Sequence, residues 1–234
     1  MREQRRAEEA AASIVLEHVR VEVDGRAILD DVSLDLTARR IAVIGANGSG
    51  KSTFARVLDG LVVPTAGTAV VHGLDVVRDT RELRRRVGFV FTDPDAQILM
   101  PTPAEDLALS LRGLPRAEVD RRVRETLAVH GLEAHADVPA SSLSGGQKQL
   151  LALAAVLVTE PRLLLADEPT TLLDRRNARR IAELLMAQEA QVVVATHDLD
   201  LAARCDLAVL FEGGRAVAVG HPDAVIDEYC RVSA

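Results

Sequence analysis

Gly45-Ala46-Asn47-Gly48-Ser49-Gly50-Lys51-Ser52-Thr53 constrains the fold of this chain more than any other segment. It fits GxxxxGK[ST], and the apolar run before it, Ile41-Ala42-Val43-Ile44, reads as a buried strand. A strand that passes through a glycine-rich loop into a helix calls for an α/β core whose ligands sit at the carboxyl ends of parallel strands. Glycines at 45, 48 and 50 let the backbone turn tightly and aim its N–H groups inward, and the helix that follows adds the positive end of its dipole. Phosphates bind such a nest. Lys51 would reach the β- and γ-phosphates of a nucleoside triphosphate, Ser52 would give its hydroxyl to Mg²⁺, and Thr53 would support the α/β side. Lys51 is one of only two lysines in the chain, so its position here is hard to ascribe to a solvated surface residue.

Arg162-Leu163-Leu164-Leu165-Ala166-Asp167-Glu168-Pro169 reads as a second apolar strand, ending in adjacent carboxylates at the same kind of sheet edge. Asp167 can hold Mg²⁺ through water, while Glu168, just beyond the strand, can polarise an attacking water. A third strand, Val192-Val193-Val194-Ala195, leads to Thr196-His197-Asp198. His197 there could contact the γ-phosphate and sense its loss. The alternative is a capping loop in which Asp198 caps the next helix and His197 merely packs.

In this order and spacing the motifs resemble the ATP-binding subunits of ATP-binding-cassette systems, over nearly the whole chain from about residue 14 to about 228. Leu143-Ser144-Gly145-Gly146-Gln147 matches the family's LSGGQ signature without a substitution. The resemblance implies two cassettes facing head to tail around two ATP molecules, each held by one phosphate loop and the partner's signature. It places Ser144, Gly145 and Gly146, within the Leu143–Gln147 signature, on the γ-phosphate of ATP bound to the other subunit. A serine and two glycines opening an apolar helix that runs to about Val158 also form an anion site on physical grounds; a simple N-cap explains Ser144 and leaves the glycines unexplained. Thr171-Leu172-Leu173-Asp174 falls at the family's D-loop spacing, where Asp174 would communicate across the dimer and can also cap the helix that starts near Arg175.

Two positions depart from the family's pattern. Val23 stands where an aromatic usually stacks on adenine, and Thr92 stands where a glutamine usually contacts Mg²⁺ and water; Thr92 still offers an oxygen, and Gln97 lies five residues on. Phe91-Thr92-Asp93-Pro94 with Gln97-Ile98-Leu99-Met100-Pro101-Thr102 resembles the corresponding loop of energy-coupling-factor ATPases, which power uptake of vitamins and of cobalt or nickel ions, and within these the biotin-system ATPase. In that family the region docks a membrane subunit, so Ile98, Leu99 and Met100 would be either an apolar docking groove or core.

At 234 residues and 48% hydrophobic content the chain can bury a sizeable core. It contains no run of about 18 apolar residues, so cargo would cross the membrane through a partner. Residues 1–12 mix Arg and Glu without an apolar centre and read as a disordered tail on a cytoplasmic protein. Residues 13–234 read as one nucleotide-binding domain: an N-terminal antiparallel β-subdomain, a phosphate-loop core with a mostly parallel sheet, and a helical subdomain over about 103–160 that carries the signature. The stop near residue 234 suggests that the C-terminal dimerisation extension of some coupling-factor ATPases is absent. Cys205 and Cys230 are too few for a disulfide framework or a metal site. A net charge of −7 argues against a nucleic-acid surface, and the arginines at 81, 84, 85, 86 and at 175, 176, 179, 180 read as solvated helix faces.

Together these readings give an ATPase that uses ATP and Mg²⁺ at the cytoplasmic face of the membrane. It would work with a second cassette, an integral membrane coupling subunit and a substrate-binding membrane protein. The rival from another class is a soluble cassette ATPase acting as a regulatory or repair switch.

Overall fold

A computed structural model describes residues 13–232, so the tail expected over 1–12 lies outside it. Strands β1 (Ile14–Val23) and β2 (Arg26–Leu36) form a hairpin closed at Asp24–Gly25, both with positive φ, the turn geometry that suits the right-handed twist of paired strands. The second sheet is built around β3 (Arg40–Ile44). Beyond the phosphate loop and helix α1 (Lys51–Leu58), β4 (Ala66–Val71) and β5 (Leu74–Asp75) return to the first sheet and give it the order β2-β1-β4-β5. The sequence signalled an N-terminal antiparallel region but not β4 and β5. Ala66-Gly67-Thr68 is exposed and polar, so the period-2 signal starts only at Ala69.

After α2 (Thr80–Leu83) come β6 (Val87–Val90), α3 (Pro103–Ser110), α4 (Arg116–Val129) and α5 (Gly145–Leu157). The chain then alternates β7 (Leu163–Asp167), α6 (Arg175–Met186), β8 (Gln191–Ala195) and α7 (Leu199–Ala202). It ends with the hairpin β9 (Leu207–Glu212) and β10 (Arg215–Gly220) and with α8 (Pro222–Val232). The second sheet runs β10-β9-β3-β8-β7-β6, parallel except for β10. Its inner strands are unbroken apolar runs because both faces are covered.

Alternate residues of β7 feed opposite cores. Leu163 and Leu165 join α1 and the first sheet, with Phe54 packed on Phe211 at 5.2 Å between ring centroids. Leu164 and Ala166 join the helical side, where Leu107, Leu127, Leu151 and Ile181 converge on α5. Helix α5 is apolar almost all round because the sheet and three helices enclose it; truncating Leu151 there should cost about 2–5 kcal/mol. On α4 the spacing of Val119, Val123 and Leu127 faces this core, while Arg121 bridges Glu118 and Glu125 outside. The arginine faces are mostly solvated, but Arg86 and Arg180 are half-buried, Arg180 donates to the His130 carbonyl at 2.7 Å and Arg84 to the Gly60 carbonyl at 2.9 Å. Cys205 is buried and Cys230 exposed, both free. No helix among the described residues is long and apolar enough to cross a membrane.

Candidate functional site

The phosphate loop leaves β3 at the centre of the parallel sheet and closes on α1. Gly45 and Gly50 have φ of +146° and +108°, and a Cβ on Gly45 would lie 2.2 Å from the Phe211 carbonyl oxygen, so the loop could not rest on β9 with any other residue there. Ala46, Asn47 and Gly48 are exposed, whereas the Lys51 side chain folds back under the loop and Lys51 is only 5% exposed. Its Nζ donates to the carbonyls of Gly45 at 2.7 Å and Ala46 at 3.0 Å. Burial lowers the lysine's pKa, and the Glu168 and Asp167 carboxylates push it back up. The Ser49 hydroxyl is buried with no hydrogen-bond partner among the described residues, an orphaned donor that suits an acceptor such as a phosphate oxygen. Thr53 is half-buried in the first turn of α1.

Asp167 ends β7 between β6 and β8, with its side chain 2% exposed. Ser52 Oγ donates to Asp167 Oδ1 at 2.8 Å, Arg56 stands 3.8 Å from Oδ2, and Thr92 Oγ1 donates to the Asp167 carbonyl at 2.9 Å. Burial raises the Asp167 pKa, and the Ser52 hydrogen bond and then Arg56 pull it down. One hydroxyl, one desolvated carboxylate and a neighbouring threonine oxygen suit a hard cation that takes its remaining ligands from water and phosphate. No cluster of three or more His, Cys, Asp or Glu able to hold a metal by themselves occurs among the described residues.

Glu168, the first residue past β7, has φ of +51°, a conformation that disfavours a side chain and is held by its N–H bond to the Ala195 carbonyl at 2.8 Å. Its Oε2 accepts from Thr171 Oγ1 at 3.2 Å and the His197 backbone N–H at 3.3 Å, and lies 2.7 Å from His197 Nδ1. His197 is thus not packed away. Its side chain is 56% exposed, turned toward Glu168, while Asp198 separately caps α7 through the Leu201 N–H at 3.1 Å.

The signature opens α5. Ser144 is the N-cap in a capping box: its N–H donates to Gln147 Oε1 at 2.8 Å, and its hydroxyl accepts the Gln147 N–H at 3.4 Å. The two glycines differ. A Cβ on Gly145 would meet nothing within 4 Å, whereas one on Gly146 would lie 2.5 Å from Asn177 Nδ2. Asn177 in turn donates its backbone N–H to Asp174 at 2.8 Å and its amide to the same carboxylate at 2.9 Å, so Asp174 caps α6 and its cap packs against the signature. Among the described residues, the side chains of Ser144 and Gln147 each bond the other's backbone N–H, and the Gln147 amide also meets His135; neither reaches the phosphate loop.

The loop after β6 distributes its roles by reach. Gln97 Oε1 accepts from the Phe91 N–H at 3.0 Å and its Nε2 donates to the Ala152 carbonyl at 3.1 Å, so both ends of the amide are committed to structure. Thr92, not Gln97, is the member of this loop that stands beside Asp167. Ile98 is partly buried against the helical core, but Leu99 is 73% exposed, and Asp106 holds that turn by accepting the N–H groups of Leu99 at 2.8 Å and Met100 at 3.1 Å. Lys148, the residue after the signature, pairs with Asp95 at 2.7 Å. Val23 is 53% exposed at the end of β1, so no aromatic occupies that position.

Several of these partners were missed in the sequence. Arg56 follows Ser52 by four residues and Asn177 follows Asp174 by three, so helical spacing held a signal for both. Asp106 and His135 act across loops, where no periodicity points to them.

A family model described as ABC transporter matches residues 29–171. A biotin transport ATP-binding protein, BioM, of Rhizobium etli is 40% identical over 95% of this chain and 100% of its own length. Part of the cbiONQ complex, cbiO1 of Clostridium perfringens, superposes with a TM-score of 0.81 at 32% identity, over 92% of this chain and 90% of that one. The dimeric post-hydrolysis cassette MJ0796, bound to ADP and Pi, superposes with a TM-score of 0.79 at 29% identity, over 89% and 98%. With its phosphate loop, paired carboxylates and signature in place, this chain belongs to the ABC transporter family, as an ATP-binding ATPase subunit.

Proposed function

We propose that the chain powers an energy-coupling-factor type of importer, taking up a vitamin, with biotin the first candidate, or a transition-metal ion. The observation that carries this reading is the presentation of Leu99. An apolar side chain is held out into solvent by a buried carboxylate on one side, while Gln97 and Lys148 tie the same loop to the signature helix. Such a surface suits a membrane subunit's cytoplasmic helix, and movement there would reach α5 directly. The BioM and cbiO1 relatives favour the same subgroup. The protein would then sit peripherally on the cytoplasmic face of the membrane.

In this reading Lys51 exchanges the Gly45 and Ala46 carbonyls for the β- and γ-phosphate oxygens of ATP, and the backbone of residues 45–50 with Ser52 and Thr53 lines the rest. Ser52 and, through water, Asp167 would hold Mg²⁺, with Thr92 beside them; the ion would offset the phosphate charge. Glu168 polarises the attacking water, and His197 holds that carboxylate in place and contacts the γ-phosphate. Ser144, Gly145 and Gly146, held by Gln147, complete the site on a second cassette, and Asp174 reaches across the same interface. Leu172, nearly fully exposed beside Asp174, is an apolar surface suited to that contact.

The test is recovery of the tagged chain from native membranes in mild detergent, with partners identified by mass spectrometry. A polytopic membrane protein together with a small substrate-binding membrane protein is expected, and Leu99→Arg should lose both while ATP binding persists. Recovery of soluble partners alone would transfer the reading to a regulatory or repair switch.

A further inference from the structure

The orientation of the Gln147 amide is fixed by its neighbours. Its Oε1 accepts the Ser144 N–H, so the atom 2.9 Å from His135 Nε2 is the NH₂ group. That ring nitrogen must accept, which leaves the imidazole neutral with its proton on Nδ1. Nδ1 is buried and has no partner among the described residues, so nothing on that side selects the tautomer. The Gln147 amide is what selects it. In return, the bond to His135 anchors the far end of the amide and so keeps Oε1 on the Ser144 N–H. The serine hydroxyl alone holds the turn weakly, at 3.4 Å.

We propose that His135, in the short turn Glu133–His135 that follows α4, is a positioning residue for the signature. Through Gln147 it fixes Ser144 and the first turn of α5 in the conformation that receives the γ-phosphate of ATP held by a second subunit. It touches no nucleotide itself. The inference rests on the two-subunit reading of the signature given above.

The test uses the full chain carrying Glu168→Gln, in which ATP should hold the dimer without being consumed. ATP-driven dimerisation is titrated by light scattering, and ATP affinity of the monomer is measured by calorimetry on dilute protein. His135→Phe keeps a ring and removes the acceptor. It should raise the ATP concentration needed for dimerisation about tenfold, the effect of one lost hydrogen bond, with monomer affinity unchanged. His135→Gln, whose carbonyl can accept from Gln147, should restore most of the loss; His135→Leu replaces the phenylalanine variant should that one not fold. Dimerisation of the phenylalanine variant at the parent's ATP concentration overturns the inference. So does a loss that glutamine fails to restore, or an equal fall in monomer affinity, which would mark a general structural defect. A parent chain that binds ATP and stays monomeric removes the two-subunit reading, and this inference with it.

Discussion

The phosphate loop and the signature are both glycine-bearing turns that open a helix, yet their surroundings are opposite. At the first, two carboxylates and a lysine crowd into a desolvated corner of the sheet, with an exposed arginine at its rim. Every strand end around it is fixed by β-ladder pairing. At the second, neutral groups hold one another at the surface, and the face of Gly145 is open. The first has the charge and burial to bind a phosphate chain alone; the signature turn is itself uncharged, with Asp174 and the arginines of α6 beside it, and in the proposed reading it receives its ligand from another molecule. In that reading one chain carries half of each of two sites.

The largest expected effects break that division directly. Lys51→Ala should weaken ATP binding to the monomer and abolish hydrolysis, because the buried positive charge beneath the loop is gone. Ser144→Arg should leave monomer binding intact, yet lower turnover by about 10²–10³, the usual consequence of losing a donor that faces developing negative charge. Calorimetry against steady-state hydrolysis separates the two. If Ser144→Arg weakened monomer binding as strongly as Lys51→Ala, the signature would belong to the chain's own site.

How much of this was legible follows from where each signal lies. Asp167, Glu168 and His197 end apolar strands, and a parallel sheet carries such ends to one edge, so period and position sufficed. The bond between Glu168 and His197 depends on a positive φ at Glu168 and on β7 lying beside β8, neither of which a single sequence displays. Gln97 shows the limit in another way: its residue type suited the site, but five residues of chain carry its amide to Phe91 and Ala152 instead. Ile98 and Leu99 were indistinguishable as a short apolar run, and only the Asp106 bonds to that turn separate the buried one from the presented one.

The two glycines of the signature sharpen the comparison at smaller scale. Gly146→Ala puts a methyl group into Asn177, itself pinned to Asp174, and overpacking of this kind costs about 1–3 kcal/mol. The melting temperature should fall by a few degrees. Gly145→Ala meets no atom and should melt with the parent or slightly above it, since alanine favours the helix, while turnover drops because the methyl stands on the open face. A fall in stability for both, with no difference in turnover, would mean that the open face has no ligand.

The smallest effect contrasts the two ends of α1, each with a buried carboxylate. Asp167, near the N-terminus, has Ser52 and Arg56 to offset its desolvation. Asp59, the C-cap residue, sits at the negative end of the helix dipole with only Arg84 to help, and burial pushes its pKa up to about 6. Since the folded state holds this proton more tightly than the unfolded chain, stability falls as pH rises from about 4 toward 6, and above that the charged carboxylate is a standing cost. Asp59→Asn removes it and should stabilise the protein at pH 7.5 by on the order of 1–2 kcal/mol. Urea unfolding of both proteins between pH 5 and pH 7.5 checks the sign: the advantage of the variant should shrink as the pH is lowered, while ATP affinity stays the same. An advantage that is constant with pH would mean that Asp59 does not titrate in this range and that the strain at this end of α1 is steric.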